Sequence, residues 1–212
     1  PIQKFSAQPH TLTEMRGPLY VEGGIVPGKD RSLREPVMLP FETDIARPTV
    51  DINVNESQMT DTLNIYNDGS IEHHEDGVNR SVATETISGL RDLYEVDSFT
   101  PDELNAFANV SGLGMVATRK TIDVGSYGVP DLRTFDTGVT YREFEVIEVM
   151  LGKGNDKFTV DGNAANAITV VHGGGNTPIG DQPGGDTVTV LKGGGPDAPL
   201  VIFGDTGQDG QR

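Results

Sequence analysis

The residues best suited to chemistry lie in the run LGKGNDKFTV, positions 151–160. Gly152 and Gly154 sit two apart, Asp156 follows by two, and Phe158 and Val160 then alternate with polar residues. Without a Cβ, glycines let backbone carbonyls converge, and a short carboxylate beside them adds a hard oxygen. That oxygen-rich set suits Ca2+, which takes about 6–8 oxygen ligands. An ion held between successive turns would also cancel their charge. The surrounding composition points the same way. The last 62 residues hold 15 of the 27 glycines, and all seven of their acidic residues are Asp, whereas 13 of the 25 acidic residues in 1–150 are Glu. A solvated acidic face has no reason to prefer Asp, but a tight turn that ligates an ion does. Asp also favours turns for backbone reasons alone, so a purely structural Gly/Asp corner accounts for the same residues.

The chain as a whole is acidic. Sixteen Lys and Arg stand against thirty-two Asp and Glu, a net charge of −16. Such a surface repels nucleic acid and anionic membranes and attracts cations. There is no Cys, which excludes disulfides, thiolate metal sites and Cys catalysis. No apolar run approaches the ~20 residues of a membrane span. Aromatic content is 6% and Trp is absent, which suits strand-rich and turn-rich architecture. The chain begins at Pro1 and ends in a Gly/Asp-rich run at Arg212, as a piece of a longer protein is expected to.

Three regions follow from the patterning. Residues 1–48 are Pro-rich and read as an extended connector with one or two edge strands, GPLYVEGG (17–24) among them. Residues 49–150 are β-rich. TVDINVNES and DTLNIYNDGS alternate with period two, the second ending in a turn signal. IEHHEDGVNR reads as a polar loop and SVATETISGL as a further strand. GVTYREFEVIEVML (138–151) is the strongest strand, with a bulge or bend expected near Glu143–Phe144 where the period slips. One helix is expected over 101–109. Thr100 caps it, Pro101 and Glu103 complete a capping box, and Leu104, Phe107 and Ala108 share a face. Residues 151–212 form the third region. FTV (158–160), AITVVH (167–172), DTVTVL (186–191) and PLVIFGD (199–205) recur with Gly/Asn/Asp runs between them. This is the sequence form of a solenoid of short strands and glycine corners.

LGKGNDKFTV resembles the nonapeptide GGxGxDxUx of RTX, or hemolysin-type, calcium-binding repeats. Gly152, Gly154, Asp156 and Phe158 match the second Gly, the third Gly, the Asp and the apolar position, and Leu151 replaces the first Gly. The resemblance implies a turn that binds Ca2+ through backbone carbonyls, including those around Asn155, and the Asp156 carboxylate, with Phe158 pointing into a parallel β-roll. GGDTVTV (184–190) keeps Gly184, Gly185, Asp186 and Val188, so Asp186 is a second candidate ligand. GDTGQDG (204–210) adds Asp205 and Asp209 at a spacing that departs from the motif. The order DTLNIYNDG, SGLGM, GVTYREFEVIEVMLGKGNDKFTV, ITVVHGGG, GGDTVTV, PLVIFGDTGQDG is similar to a module repeated in very large secreted bacterial proteins with such calcium-binding regions. That resemblance covers most of the chain and brings no defined activity.

Other constellations are weaker. His73 and His74 beside Glu72, Glu75 and Asp76 are metal-type residues, yet adjacent His in a strand face opposite ways and a solvated loop explains them. His10 and His172 have no visible partner. Glu143 and Glu145 would share a strand face, as paired carboxylates of a glycosidase do, but on a solenoid they line the solvent side. No Ser-His-Asp signature, GxSxG or P-loop is present.

The expectation is therefore a mainly β, all-β chain. It has a strand-rich N-terminal part, one short inserted helix and a parallel β-solenoid or β-roll-like C-terminal part. The expected role is structural and non-enzymatic: a Ca2+-stabilised module of an extracellular, cell-surface, adhesin-like or filament-forming bacterial protein. Its expected partners are neighbouring copies, head to tail, through strand addition by the N-terminal segment. A carbohydrate-active β-helix enzyme or carbohydrate-binding module is the alternative, and a phage or viral fibre segment a third.

Overall fold

The computed structural model describes residues 10–24, 59–81, 107–116, 119–123, 125, 128–176, 184–193 and 197–204. Twelve strands account for its regular structure, and no helix occurs among the described residues. They are β1 (Pro18–Glu22), β2 (Thr62–Tyr66), β3 (Gly77–Ser81), β4 (Ala108–Ser111), β5 (Lys120–Asp123), β6 (Leu132–Phe135), β7 (Gly138–Arg142), β8 (Val146–Met150), β9 (Lys157–Asp161), β10 (Ile168–His172), β11 (Thr187–Lys192) and β12 (Leu200–Phe203). The chain is mainly β, as its alternating apolar pattern dictates.

Two large sheets carry the core. One has six strands in the order β1-β7-β4-β3-β9-β11, the other four in the order β12-β10-β8-β2. In both, neighbours run parallel except where β4 meets β3 and β7. In two stretches consecutive strands change sheet: β2 lies in the four-stranded sheet and β3 in the six-stranded one, and β7 to β12 alternate between them. Register then stacks like on like. Leu63, Ile147, Thr169 and Leu200 form one row of the four-stranded sheet, and Ile65, Val149, Val171 and Ile202 the next. In the other sheet Gly77, Phe158 and Val188 form one row, and Asn79, Val160 and Val190 another. Period-two side chains put Ile147, Val149 and Val171 on one inner face and Phe158 and Val160 on the other, and all five are fully buried in a single cluster. Burying each such side chain contributes roughly 1.5–3 kcal/mol. The phenylalanine takes its room from Gly77, where an added Cβ would come within 2.7 Å of the Phe158 ring.

Several expectations are refined. GPLYVEGG holds β1, at an edge of the six-stranded sheet. The run 138–151 is two strands, broken where expected: β7 ends at Arg142, Glu143 takes a left-handed φ of 56°, and β8 restarts at Val146 in the opposite sheet. The period mixture there is the sum of two phases. The helix over 101–109 is corrected where it can be seen: Ala108 and Asn109 belong to β4, and 101–106 lie outside the described residues. β4 pairs with strands on both sides, and Ala108 and Val110 are buried while Asn109 donates to the Thr137 carbonyl at 3.2 Å and the Thr140 hydroxyl at 3.0 Å. Pairing on both flanks overrides the 3.6-residue pattern. IEHHEDGVNR is a loop only as far as Asp76, since Gly77–Ser81 is β3, held between β4 and β9. The expected strands at 49–57 and 82–90 lie outside the described residues.

A two-stranded hairpin, β5–β6, stands beside the six-stranded sheet. Next to it the Asp136 carboxylate receives Arg119 at 2.7 Å and Arg80 at 3.4 Å.

Candidate functional site

The candidate calcium residues meet at one corner, where the chain enters β3, β9 and β11. Lys157 is level with Thr187 in the sheet, so the preceding residues, Asp156 and Asp186, are also level. Asp156 is fully buried. One of its oxygens accepts the His74 backbone N–H at 2.8 Å, and the other accepts that of Gly152 at 2.9 Å. The Asp156 N–H in turn donates to Asp186 Oδ1 at 2.8 Å, and the Gly185 N–H donates to Asn155 Oδ1 at 3.0 Å. Backbone bonds repeat the stacking from turn to turn. Lys153 N–H donates to the Ser70 carbonyl at 2.6 Å, Lys157 to His74 at 2.7 Å, Thr187 to Asp156 at 2.8 Å and Gly175 to Gly152 at 3.0 Å.

The two glycines of the motif have a steric reason. An added Cβ at Gly154 would run into the Glu72 carbonyl, and one at Gly152 would come within 2.8 Å of the Ser70 carbonyl. The turn of 151–156 lies too close on the turn of 70–75 for any side chain there.

Gly152, Gly154, Asn155, Asp156 and Asp186 are therefore brought to one corner, while Asp205 and Asp209 lie outside the described residues. Both Asp156 oxygens are engaged by N–H groups, and the carbonyls of Ser70, Gly152, His74 and Asp156 are engaged by the next turn. Among the described residues no group of three or more His, Asp or Glu converges for a metal. The corner is a hydrogen-bonded staple in which the Asp156 carboxylate accepts two backbone N–H groups.

The histidine pair is part of the same staple. His74 is buried with Nε2 3.0 Å from the Ser70 hydroxyl, and His73 Nδ1 accepts the Asn155 N–H at 2.7 Å. His73 is exposed while His74 is buried, so the solvated-loop reading of His74 is corrected.

A second constellation was not legible in the sequence. On the four-stranded sheet His172 Nε2 lies 2.9 Å from Glu148 Oε1, and the Tyr66 hydroxyl donates to Glu148 Oε2 at 3.1 Å. Phe203 stacks on His172 with centroids 5.1 Å apart, and His10 Nδ1 meets Asp68 at 2.8 Å beside Tyr66. So both histidines that lacked a visible partner have a carboxylate. Ile147, Val149 and Val171 face the core, so Glu148 and His172 share the outer side of their strands. The alternation carried that phase, but only the register of β8 on β10 joins residues 24 apart. Glu143 does not join Glu145 on a strand face, since both lie in the break between β7 and β8, and Glu145 accepts the Asp61 N–H at 2.6 Å.

Two clefts flank the hairpin. One, of about 160 Å3, is apolar and lined by Leu19, Tyr20, Ile122 and Phe135. The other, of about 250 Å3, holds Arg80, Arg119, Asp136 and Asp76. Both are smaller than the ~300–1,000 Å3 common for small-ligand pockets.

No helix among the described residues is long and apolar enough to cross a membrane. No protein-family model matches the chain, and no curated protein or solved structure matches it either.

Proposed function

We propose that this chain is a structural module, not an enzyme, of a large extracellular surface protein, built as a short two-sheet β-roll whose turns are stapled through Asp156. The observation that carries this reading is the coincidence of strand alternation with turn stacking. β8 to β12 change sheet at every step, and the corners at 151–156, 173–175 and 184–187 bond to an earlier one, Lys153 to Ser70, Gly175 to Gly152 and Thr187 to Asp156. Such an arrangement is extended by repetition, which is how a scaffold grows.

The calcium part of the reading rests on the Gly152-Gly154-Asp156 spacing and on Asp186 standing level with Asp156. An ion at this corner would exchange the two N–H bonds of Asp156 for coordination. Thermal unfolding of the 212-residue chain in EDTA and in millimolar Ca2+ tests it. A ligand that binds only the folded state at 100 times its dissociation constant adds about 2.7 kcal/mol. For a chain of this size that is a rise of roughly 5–10 °C in Tm. Equal melting temperatures would leave the corner as a staple without an ion and remove calcium from the reading.

A further inference from the structure

We propose that β11 of one copy accepts β1 of a second copy as a parallel neighbour, joining successive modules head to tail through the six-stranded sheet. The inference rests on the module reading and names its contact surface.

Direction permits the junction. β1 and β11 are the two edges of the same sheet, and among the described residues neither has a further strand hydrogen-bonded to it; Ile122 and Phe135 of the hairpin share a cleft with Leu19 and Tyr20 of β1 without pairing to it. β1 is parallel to β7, β7 and β3 are both antiparallel to β4, and β3, β9 and β11 are parallel. The two edges therefore run the same way, and a second copy placed by simple translation meets β11 with a parallel strand. Such a contact is heterologous and propagates.

The side chains match in the register that the sheet already uses. β9 pairs with β11 as Lys157 with Thr187, Phe158 with Val188, Thr159 with Thr189, Val160 with Val190 and, past a bulge, Asp161 with Lys192. One step further out, the five residues of β1 fall opposite the same five positions. Leu19 and Val21, which face inward beside Val139 and Tyr141, come opposite Val188 and Val190. Leu19 and Val190 are 45% and 46% exposed in the single chain, so each edge leaves half an apolar side chain for the other to cover.

Charge matches on the outer face. Arg80, Asp161 and Lys192 form a row of alternating sign, with Lys192 Nζ 3.0 Å from Asp161. At the other edge Arg142 pairs with Glu22. Docking β1 on β11 places Glu22 after Lys192, so the row continues as plus, minus, plus, minus, plus through Arg142 of the second copy.

Sedimentation equilibrium of the full chain up to millimolar concentration reads this directly, because a covalent tandem holds its neighbours at about that effective concentration. The parent is expected to grow in mass without a fixed endpoint. Leu19→Lys blocks one edge and Val190→Lys the other, so each alone is expected to stay monomeric. Mixed in equal amounts, they retain one good edge of each kind and are expected to form a 1:1 dimer and nothing larger. Lys192→Glu, which also loses the exposed contact to Asp161, is expected to weaken association at least tenfold while lowering Tm by no more than about 2–4 °C. A parent that stays monomeric overturns the proposal, and so does association that survives in both lysine variants. Calcium independence of Tm would defeat the calcium reading and leave this mass measurement unaffected.

Discussion

The Asp156 carboxylate accepts the backbone N–H of His74, 82 residues earlier in the chain, at 2.8 Å. Its second oxygen accepts Gly152, and its own N–H reaches Asp186, 30 residues later. One residue thus links three turns in a buried corner, two through its carboxylate and the third through its backbone N–H. Replacing it leaves two buried N–H groups without an acceptor. Asp156→Ala is expected to cost about 3 kcal/mol, a fall of roughly 6–12 °C in Tm. Asp156→Asn, which keeps one acceptor oxygen, is expected to cost about half as much. Urea unfolding of both variants measures the difference, and equal losses would contradict the two-bond account.

Gly154→Ala probes the same corner by volume alone. The new methyl would collide with the Glu72 carbonyl, so the two turns must separate. A loss of about 1–3 kcal/mol is expected, as for other forced expansions of a packed site. Gly185→Ala is the control, because a Cβ there meets nothing within 4 Å.

Phe158→Ala removes a fully buried ring from the space between the sheets. The expected cost is about 3–5 kcal/mol. A Cβ at Gly77 would stand 2.7 Å from the Phe158 ring and 2.8 Å from the end of Leu113, so Gly77→Ala alone destabilises; with the ring gone and the flexible Leu113 end left to give way, Gly77→Ala in the Phe158→Ala background is expected to restore part of the loss. A double variant no better than Phe158→Ala would sink the idea that the pair shares one volume.

Tyr141 is wholly buried, with its hydroxyl donating to Asn79 Oδ1 at 3.1 Å. Burial pushes its phenol well above the ordinary tyrosine range, so it stays a neutral donor. Ultraviolet titration of the folded protein is expected to leave this one tyrosine un-ionised until the chain unfolds. Tyr141→Phe strands the Asn79 carbonyl and is expected to cost about 1–3 kcal/mol.

Asp123 sits in the hairpin and accepts the N–H of Gly125 at 3.0 Å and of Asp131 at 2.9 Å. These two bonds, Gly125 first, hold its carboxyl below the ordinary aspartate value. A depressed folded value stabilises above the unfolded value of about 3.9, and that stabilisation is lost as pH falls through the folded midpoint. The carboxyl carbon signal of Asp123 is expected to titrate below that of an aspartate in a short peptide. A midpoint at or above the peptide value would show that the loop bonds do not persist in solution.

Much of this was legible in the residues. DTLNIY, FTV, AITVVH, DTVTVL and PLVIF alternate with period two, and each is a strand. The slip of phase near Glu143 marked the point where the chain leaves one sheet for the other. NAFANV misled because Phe107 and Ala108 fit a helix face locally, while the antiparallel pairing that makes 108–111 a strand comes from residues 27 or more positions away. The Gly152–Asp156 corner was found by its residue types, but the partners of its carboxylate were not.

By itself, then, the sequence determined the mainly β character, the glycine corner at 152–156 and the acidic charge, because alternation, glycine and formal charge act over a few residues. Only the tertiary structure decided which strands are neighbours. Parallel pairing joins Thr62–Tyr66 to Val146–Met150 across more than 80 residues, and no local term encodes that register. The Glu148–His172 pair, the engagement of Asp156 by His74, and the match between the outer edges of β1 and β11 all follow from that register. Each depends on which residues come level after the chain has returned to the same sheet.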